Sequence, residues 1–305
     1  MENNLLYKSA SIHAERNDYK NRYGADAAIL GKEDFVISEI EIDSSLPPTP
    51  VENGFLSAES LFSSSINLLG YISALNLYPV VYQGENDGQL IRHVVPKKGL
   101  ETEISSYGSH QTFFPHVDNP DLRLRGEKNY PSLFCQTPVP DTLTLLCLRQ
   151  HENVATSILL LDDVLSDLSA EELHLLQEPQ FTISRPASFQ DGHLLHHLPV
   201  LVRQEDGVYH SRFDYHNVSS SSPQHESALN RFKSLALDEK KWKALYLRPG
   251  QAVTCNNQRT LHTRNGFQPR FDGKDRWLLR VFGLYQPPQS SYLFSASCNH
   301  HLKTI

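Results

Sequence analysis

The segment TFFPHVDNP places an imidazole and a carboxylate two residues apart, at His116 and Asp118. Successive side chains of a β-strand point to opposite faces, so residues two apart project from the same face and can share a metal ion. A third ligand must come from elsewhere, and the candidate is His262, which follows a strand-like segment and sits just before a turn in NNQRTLHTRNGF. Two histidines and one carboxylate are typical of non-haem Fe(II) oxygenases. We therefore predict a metal centre whose open positions bind O2 and a chelating cosubstrate.

The spacing behind His262 strengthens this prediction, because a lone His-x-Asp pair is a weak signal in a chain with 15 histidines. Arg276 and Arg280 follow at fourteen and eighteen residues, and their even spacing puts both on one face of a predicted strand. Buried guanidinium groups are unfavourable unless an anion compensates them, and their planar fork fits a carboxylate. The two arginines indicate two carboxylates to be bound. Structural salt bridges to an Asp or Glu of a neighbouring strand are the alternative.

Short apolar segments separated by Gly, Pro and Asp predict the strands that would position these residues. They lie at 90–96, 142–149, 156–163, 196–203, 207–214, 251–257 and 275–285. Helices are predicted within 59–82, over 166–177 and within 223–245, the second on a capping-box pattern from Ser169 to Glu172. Dispersed strands with helices outside favour an α+β fold, mainly β, with a double-stranded β-helix (jelly-roll) core and flanking helices.

Composition restricts the possible partners and locations. The net charge of −7 and the pI near 6.1 argue against nucleic acid or an anionic membrane as the main partner. The chain has no run of eighteen apolar residues and no signal-peptide pattern at its N-terminus, so we expect neither a membrane span nor secretion. Four scattered cysteines without a CxxC pair indicate reduced thiols, and we predict a cytoplasmic protein.

Three motifs together resemble a known family. His-x-Asp, the segment LCLRQHENVATS and the distal NNQRTLHTRNGFQPRFDGKDRWLLR are similar to the clavaminate synthase-like branch of the TauD/TfdA superfamily, which comprises Fe(II)/2-oxoglutarate-dependent oxygenases. Within that branch, the nearest likeness is to hydroxylases of free lysine, arginine and asparagine. The resemblance covers roughly residues 80–285. It implies Fe(II), the cosubstrates 2-oxoglutarate and O2, and a small amino-acid substrate.

The resemblance also implies a role for each matching position. Three residues would bind iron: His116, Asp118 and His262. The distal carboxylate of 2-oxoglutarate would contact Arg276, helped by the hydroxyl of Thr156. Arg280 would face the substrate α-carboxylate, while Glu85, with Ser106 nearby, would hold the α-amino group. Asp214 would hold the polar end of the substrate side chain.

The chain departs from the family pattern in three ways. Several relatives carry Glu where this chain has Asp118, and the lysine-type members are the ones associated with Asp. A carboxylate at that position also differs from the small residue of the halogenases. Arginine hydroxylases have a second acid two residues after the position of Asp214, where this chain has His216. The stretch 119–141 is longer than expected, and we predict that it forms a lid over the metal.

These observations predict a single oxygenase domain over 1–305, with an N-terminal extension over 1–58 and a core over 80–285. The predicted reaction is hydroxylation of an unactivated C–H bond of a free L-amino acid, with a basic one favoured and lysine preferred to arginine. One alternative is the same chemistry on an amino acid tethered to a carrier protein or peptide, which would leave Arg280 without its carboxylate. The other is a cupin-like metal-binding protein without oxygenase activity. The oligomeric state cannot be predicted from the sequence.

Overall fold

Two β-sheets pack against each other at the centre of the computed structural model, which describes residues 2–105, 107–128, 137–186, 189 and 193–304. The helices in these residues are α1 Glu2–Arg16, α2 Tyr19–Glu33, α3 Phe62–Ala74, α4 Leu161–Leu165, α5 Ala170–Leu175 and α6 Pro223–Ala236. Short 3-10 turns cover Ala58–Leu61, Asn86–Gly88, Glu239–Lys241 and Ser290–Tyr292. The strands are β1 Phe35–Glu39, β2 Tyr78–Tyr82, β3 Arg92–Val94, β4 Phe113–His116, β5 Thr142–Arg149, β6 Thr156–Leu160, β7 Phe181–Ser184, β8 Leu194–Leu198, β9 Leu201–Arg203, β10 Tyr209–Ser211, β11 Val218–Ser219, β12 Lys243–Leu245, β13 Gln251–Asn256, β14 Thr260–Arg264, β15 Trp277–Leu284, β16 Leu293–Ser295 and β17 Cys298–Leu302.

The larger sheet has the strand order β1-β13-β5-β15-β2-β17-β16, with β3 also paired to β15, and the smaller has the order β12-β6-β14-β4. Alternate side chains of β5 and β15, including Leu145 and Leu278, pack with Ile158 of β6 between the two sheets. Because side chains alternate along a strand, Arg276 and Arg280 share the inward face with Leu278. The prediction of a mixed fold dominated by strands is confirmed.

Helices cover the outer face of each sheet. Helices α1 to α3 pack on the larger sheet, against residues such as Leu146 and Leu279. Helices α4 to α6 pack on the smaller sheet, where Leu159 and Leu261 contact a cluster that includes Phe232 of α6. Among the helices of the described chain, none has the length and apolar character that a bilayer crossing requires.

The helix predictions are confirmed in part. α5 begins with the predicted capping box, in which Glu172 N–H donates to Ser169 Oγ at 3.2 Å and Ser169 N–H donates to the Glu172 carboxylate at 2.7 Å. α3 and α6 lie within their predicted ranges, but each range ends in a strand, β2 and β12, because the chain there pairs with a sheet. Helices α1 and α2 were not predicted.

Most predicted strands form with shifted ends. The range 156–163 was wrong beyond residue 160, where β6 passes directly into α4. The range 196–203 contains two strands, β8 and β9, separated at Pro199. Proline has no N–H to donate and its ring restricts the backbone, which accounts for the interruption.

The flanks of the predicted lid are packed as core. Leu122, Leu124 and Val139 are buried in the cluster between the sheets. Glu127 forms a buried ion pair with Arg212, whose guanidinium also donates to the carbonyl oxygens of residues 120 and 122. Residues 119–128 and 137–141 therefore anchor the two ends of this stretch in the core. Residues 129–136, in its middle, lie outside the described residues, so the lid stays a prediction.

Candidate metal centre

His116 and His262 are cross-strand partners on the neighbouring strands β4 and β14, and their ring centroids are 4.1 Å apart. Asp118 lies two residues beyond His116 and projects to the same side. The candidate ligand atoms of these three residues all lie within 4.8 Å of one another. The structure therefore brings together the three residues that were predicted from the sequence as metal ligands.

The predicted local setting of His262 was right in one part and wrong in the other. A strand, β13, does precede His262, but His262 does not sit just before a turn, because it occupies the middle of a second strand, β14. The turn lies before it, at residues 257–259, because β13 ends at Asn256 and the chain reverses into the smaller sheet. Pairing with β4 on one side and β6 on the other fixes the orientation of the imidazole.

Neighbouring polar groups hold the candidate ligands in place. His116 Nδ1 lies 2.8 Å from the carbonyl oxygen of Phe114, and since a carbonyl only accepts, this nitrogen carries the proton and leaves the lone pair on Nε2. The backbone N–H of Asp118 donates to Asn257 Oδ1 at 2.9 Å. Asn257 Nδ2 donates back to the Asp118 carbonyl at 3.0 Å, so the amide fixes the backbone that carries the carboxylate.

The electrostatic environment favours forms that can bind a cation. Burial, with the neighbouring imidazole of His116, lowers the pKa of His262 to about 3, so its ring is neutral near pH 7. Burial alone would raise the pKa of Asp118, but Arg280 and the two imidazoles outweigh it and the pKa is lowered. His116 Nε2, Asp118 Oδ2 and His262 Nδ1 are buried without a hydrogen-bond partner among the described residues. Such orphaned atoms fit a site that a metal completes.

Arg276 lies on the inward face next to β15, fully enclosed between the sheets. Its Nη2 donates to Thr156 Oγ1 at 2.8 Å, and its Nε donates to Gln150 Oε1 at 3.3 Å. Burial lowers the pKa of the guanidinium to about 10, so it is charged at neutral pH. Within the described residues no acidic side chain forms an ion pair with Arg276, so the salt-bridge alternative is not observed there.

Arg280 has a different environment, because it forms an ion pair directly with Glu85. Its Nη1 also lies 3.5 Å from Asp118 Oδ1, which links it to the metal centre. Glu85 lies 3.7 Å from a second guanidinium, that of Arg92, and its Oε2 is buried without a hydrogen-bond partner among the described residues. The salt-bridge alternative is therefore observed for Arg280.

Asp214 forms an isolated bridge with His116, which places it beside the metal centre. Its Oδ1 accepts from the backbone N–H groups of His216 and Asn217 at 2.9 and 3.1 Å, and its Oδ2 accepts from Asn217 Nδ2 at 2.8 Å. His216 itself is exposed. Ser106, the last predicted substrate contact, lies outside the described residues.

One pocket contains all of the other predicted site residues and several that were not predicted. Among its lining residues are Glu85, Thr156, Asp214, Arg276 and Arg280 with the three candidate metal ligands. Arg92, Asn217 and Arg264 also line it. The even offset from His262 to Arg264 was a usable signal for the last of these, because it predicts the same strand face. Arg92 approaches through pairing of β3 with β15, which its local sequence does not reveal.

Comparison with known proteins identifies the family. Residues 98–282 match the model of the taurine catabolism dioxygenase TauD, TfdA family. The chain belongs to this family. Membership confirms the resemblance seen in the sequence, and with it the dioxygenase class and the use of iron, 2-oxoglutarate and O2.

Individual relatives support this membership. The L-asparagine oxygenase of Streptomyces coelicolor is 29% identical over 283 residues, which cover 90% of this chain and 76% of that protein. The L-lysine 3-hydroxylase of Catenulispora acidiphila is 26% identical over 246 residues, covering 78% of this chain and 63% of that protein. A solved structure of asparagine oxygenase in complex with Fe(II), 2S,3S-3-hydroxyasparagine and succinate superimposes with a TM-score of 0.82 at 24% identity, covering 98% of this chain and 89% of that chain. This structural similarity shows that the two proteins share a fold.

Proposed function

We propose that this protein hydroxylates an unactivated C–H bond of a free L-amino acid. The observation that supports this most directly is the single pocket that the three candidate metal ligands line together with Arg276 and Arg280. The two guanidiniums are separated along one strand face by Leu278, so each can bind a different carboxylate. The pocket therefore suits two small carboxylic acids whose reacting ends meet near one metal.

His116, Asp118 and His262 would hold Fe(II), and the orphaned buried atoms of these side chains fit that role. When bound, the metal with 2-oxoglutarate and O2 supplies the oxidant for C–H hydroxylation, and succinate and CO2 are the coproducts. The protein's own contribution is positioning, because no nucleophile or general base is required. Asn257 and the Phe114 carbonyl keep the carboxylate and one imidazole in their binding orientations.

Arg276 and Thr156 would bind the distal carboxylate of 2-oxoglutarate. The guanidinium is enclosed, charged and without an acidic partner in the described chain, so an incoming carboxylate would compensate it. Gln150 accepts from Nε and fixes the plane of the guanidinium, so that the remaining donors can point into the pocket. The Thr156 hydroxyl accepts from Arg276 and can donate its own proton to the ligand.

Arg280 and Glu85 would bind the α-carboxylate and the α-ammonium of the substrate. These two residues neutralise each other in an ion pair, and a zwitterion would offer each of them a replacement for the charge that it loses. The free Oε2 of Glu85 is available to accept from an ammonium. A carrier-tethered amino acid lacks the α-carboxylate, so the arrangement favours a free one.

The environment of Asp214 supports a basic substrate with a single terminal donor, lysine in preference to arginine. Both lone pairs of Oδ1 are used by backbone N–H groups, while Oδ2 accepts one bond from Asn217 and keeps one lone pair. A guanidinium binds best to two free oxygens of a carboxylate, whereas an ammonium needs only one. This assignment deepens the sequence argument from the missing second acid at His216.

We also infer the domain organisation from the packing. The two facing sheets are interpreted as the halves of a double-stranded β-helix core within 80–285, and α1, α2 and β1 belong to the extension over 1–58. α1 packs on α3 and β1 pairs with β13, so the extension is attached to the core as one domain. Cys147, Cys255 and Cys298 are buried free thiols, which supports the prediction of a reducing, cytoplasmic location.

The proposal is tested by measuring succinate release with Fe(II) and 2-oxoglutarate across a panel of free amino acids, followed by mass detection of a product with one added oxygen atom. We expect the largest stimulation with a basic amino acid and none in the Asp118→Ala variant. Absence of stimulation by every free amino acid, in protein that still binds 2-oxoglutarate, would contradict a free substrate and favour a tethered one.

A further inference from the structure

A second buried guanidinium lies beside Arg276, at Arg264. Residue 264 follows His262 by two positions on β14 and is the direct cross-strand partner of Thr156 on β6. Directly opposed residues have Cβ atoms about 5 Å apart. The Thr156 hydroxyl accepts from Arg276, so both arginines neighbour this threonine. Arg264 is 9% exposed and lines the same pocket as Arg276.

Part of the Arg264 guanidinium is used to hold the protein together. Nη1 donates to the backbone carbonyl of Ser109 at 3.1 Å and to that of Asn265 at 3.0 Å. These bonds fix the guanidinium in one orientation. Nε and Nη2 have no acceptor among the described residues, and no acidic side chain in that part of the chain pairs with Arg264. Three N–H groups of Arg264 are therefore held in place but have no acceptor among the described residues.

Two buried guanidiniums side by side repel each other, and neither is neutralised by a described carboxylate. An unpaired buried charge is destabilising by several kcal/mol, and a second like charge adds to that cost. An anion bound between the two guanidiniums would be attracted by both and would compensate both charges. The end of the pocket formed by Thr156, Arg264 and Arg276 is therefore built for a strongly anionic group.

We propose that Arg264 is a second binding residue for the distal carboxylate of 2-oxoglutarate, acting together with Arg276 and Thr156. This inference rests on the proposed function, which assigns that carboxylate to Arg276. A carboxylate has two oxygens with about four acceptor positions. One guanidinium and one hydroxyl leave some of them unused, and the free donors of Arg264 would supply the rest.

Binding of two 2-oxo acids separates this role from a merely structural one. 2-Oxoglutarate and 2-oxopentanoate share the chelating head and the chain length, but the second has a methyl group in place of the distal carboxylate. Affinities of both for the anaerobic Fe(II) protein would be measured by calorimetry, which needs no turnover. The ratio of the two affinities reports only on the distal carboxylate and cancels general effects on the metal centre.

The variants are chosen to separate charge from backbone pinning. Arg264→Gln removes the charge but can still donate to the Ser109 carbonyl, whereas Arg264→Met removes both. Loss of a charge-assisted hydrogen bond costs about 1.5–3 kcal/mol, so we expect both variants to reduce the ratio by roughly ten- to hundredfold. Arg149→Met is the matched control, since Arg149 binds Thr49 Oγ1 and the Leu46 carbonyl and does not line the pocket. Its ratio should equal that of the wild type.

The outcomes distinguish the two proposals. An unchanged ratio in Arg264→Gln, or a reduction in Arg264→Met alone, would overturn the role of Arg264 and leave it as a structural residue. If the wild type binds the two acids equally, or if Arg276→Met keeps the wild-type ratio, the assignment of the cosubstrate end of the pocket fails and both proposals fall. Thermal unfolding of each variant verifies that it is folded before binding is compared.

Discussion

Replacing Glu85 by glutamine removes one charge from a buried group of ions at the substrate end of the pocket. In the wild type, the Glu85 carboxylate pairs with Arg280 and lies 3.7 Å from Arg92. The side chains of Glu85 and Arg280 are 2% and 10% exposed, so water cannot replace the lost partner. Glutamine has nearly the same shape, and the change is therefore one of charge rather than of packing.

The expected loss of stability depends on the charged groups that still surround Arg280 in the variant. Breaking a buried ion pair from one side typically costs about 3–5 kcal/mol. Arg280 keeps a partial partner in Asp118 at 3.5 Å, which places the expected loss near the lower limit, about 3 kcal/mol. The double variant Glu85→Gln, Arg280→Gln removes both charges, so it should be more stable than the sum of the single changes implies, by about 1 kcal/mol or more.

Urea unfolding of the wild type, the two single variants and the double variant measures this coupling. The functional counterpart is a rise in the KM of the amino-acid substrate in Glu85→Gln, with the affinity for 2-oxoglutarate unchanged. Asp34→Asn is the control, because Asp34 pairs with Arg259 at 3.1 Å and does not line the pocket. It should reduce stability without changing the KM. Additive effects on stability, or weaker 2-oxoglutarate binding in Glu85→Gln, would refute the reasoning.

Three further predictions concern the metal, the substrate and pH. At a hundredfold excess over its Kd, Fe(II) should stabilise the wild type against urea by about 2.7 kcal/mol, and His262→Ala should lose most of that gain. Asp214→Asn should raise the KM for lysine roughly tenfold, as expected for loss of a charged hydrogen-bond acceptor, and a similar rise for an uncharged amino acid would argue against a contact with the ammonium. Burial lowers the pKa of His93 to about 4, so below its ordinary value of 6.5 the unfolded chain takes up a proton that the native protein does not. Unfolding in urea at pH 7 and pH 5 should show a loss of about 2 kcal/mol from this residue, and the difference should shrink in His93→Asn.

The strands that carry the site were readable from the sequence where their side chains alternate. β5 and β15 have apolar residues on both faces. Arg276 and Arg280 interrupt the apolar inward face at β15, and their even spacing allowed them to be predicted as inward-facing residues. The His-x-Asp pair was readable for the same reason. The assignment of His262 to a site with them depended on the spacing to Arg276, and the structure adds that β4 and β14 are neighbours.

Features that depend on distant pairing were not readable. The strand predicted over 251–257 ends at nearly the same residue as β13, but β14 was not predicted, because the turn at residues 257–259 contains no glycine or proline that would indicate a hairpin. The ion pair between Glu85 and Arg280 joins residues 195 positions apart. Whether an inward arginine is neutralised by the protein or left for a ligand is decided by such distant contacts, which the sequence around Arg276 and Arg280 does not show.

Arg280 has an acidic partner in the protein and Arg276 has none among the described residues, so the two ends of the pocket differ in charge. The Cα atoms of residues 276 and 280 are about 13 Å apart along an extended chain, and this separation allows each guanidinium to bind its own carboxylate. Leu278 between them packs in the apolar core, which keeps the two polar ends separate. Arg276 is poised with donors and no acidic partner among the described residues, whereas Arg280 is already neutralised by Glu85. Under the proposed function, a dianionic cosubstrate would gain most at the Arg276 end and a zwitterion at the Arg280 end, so the charge pattern would favour a different ligand at each end of the pocket.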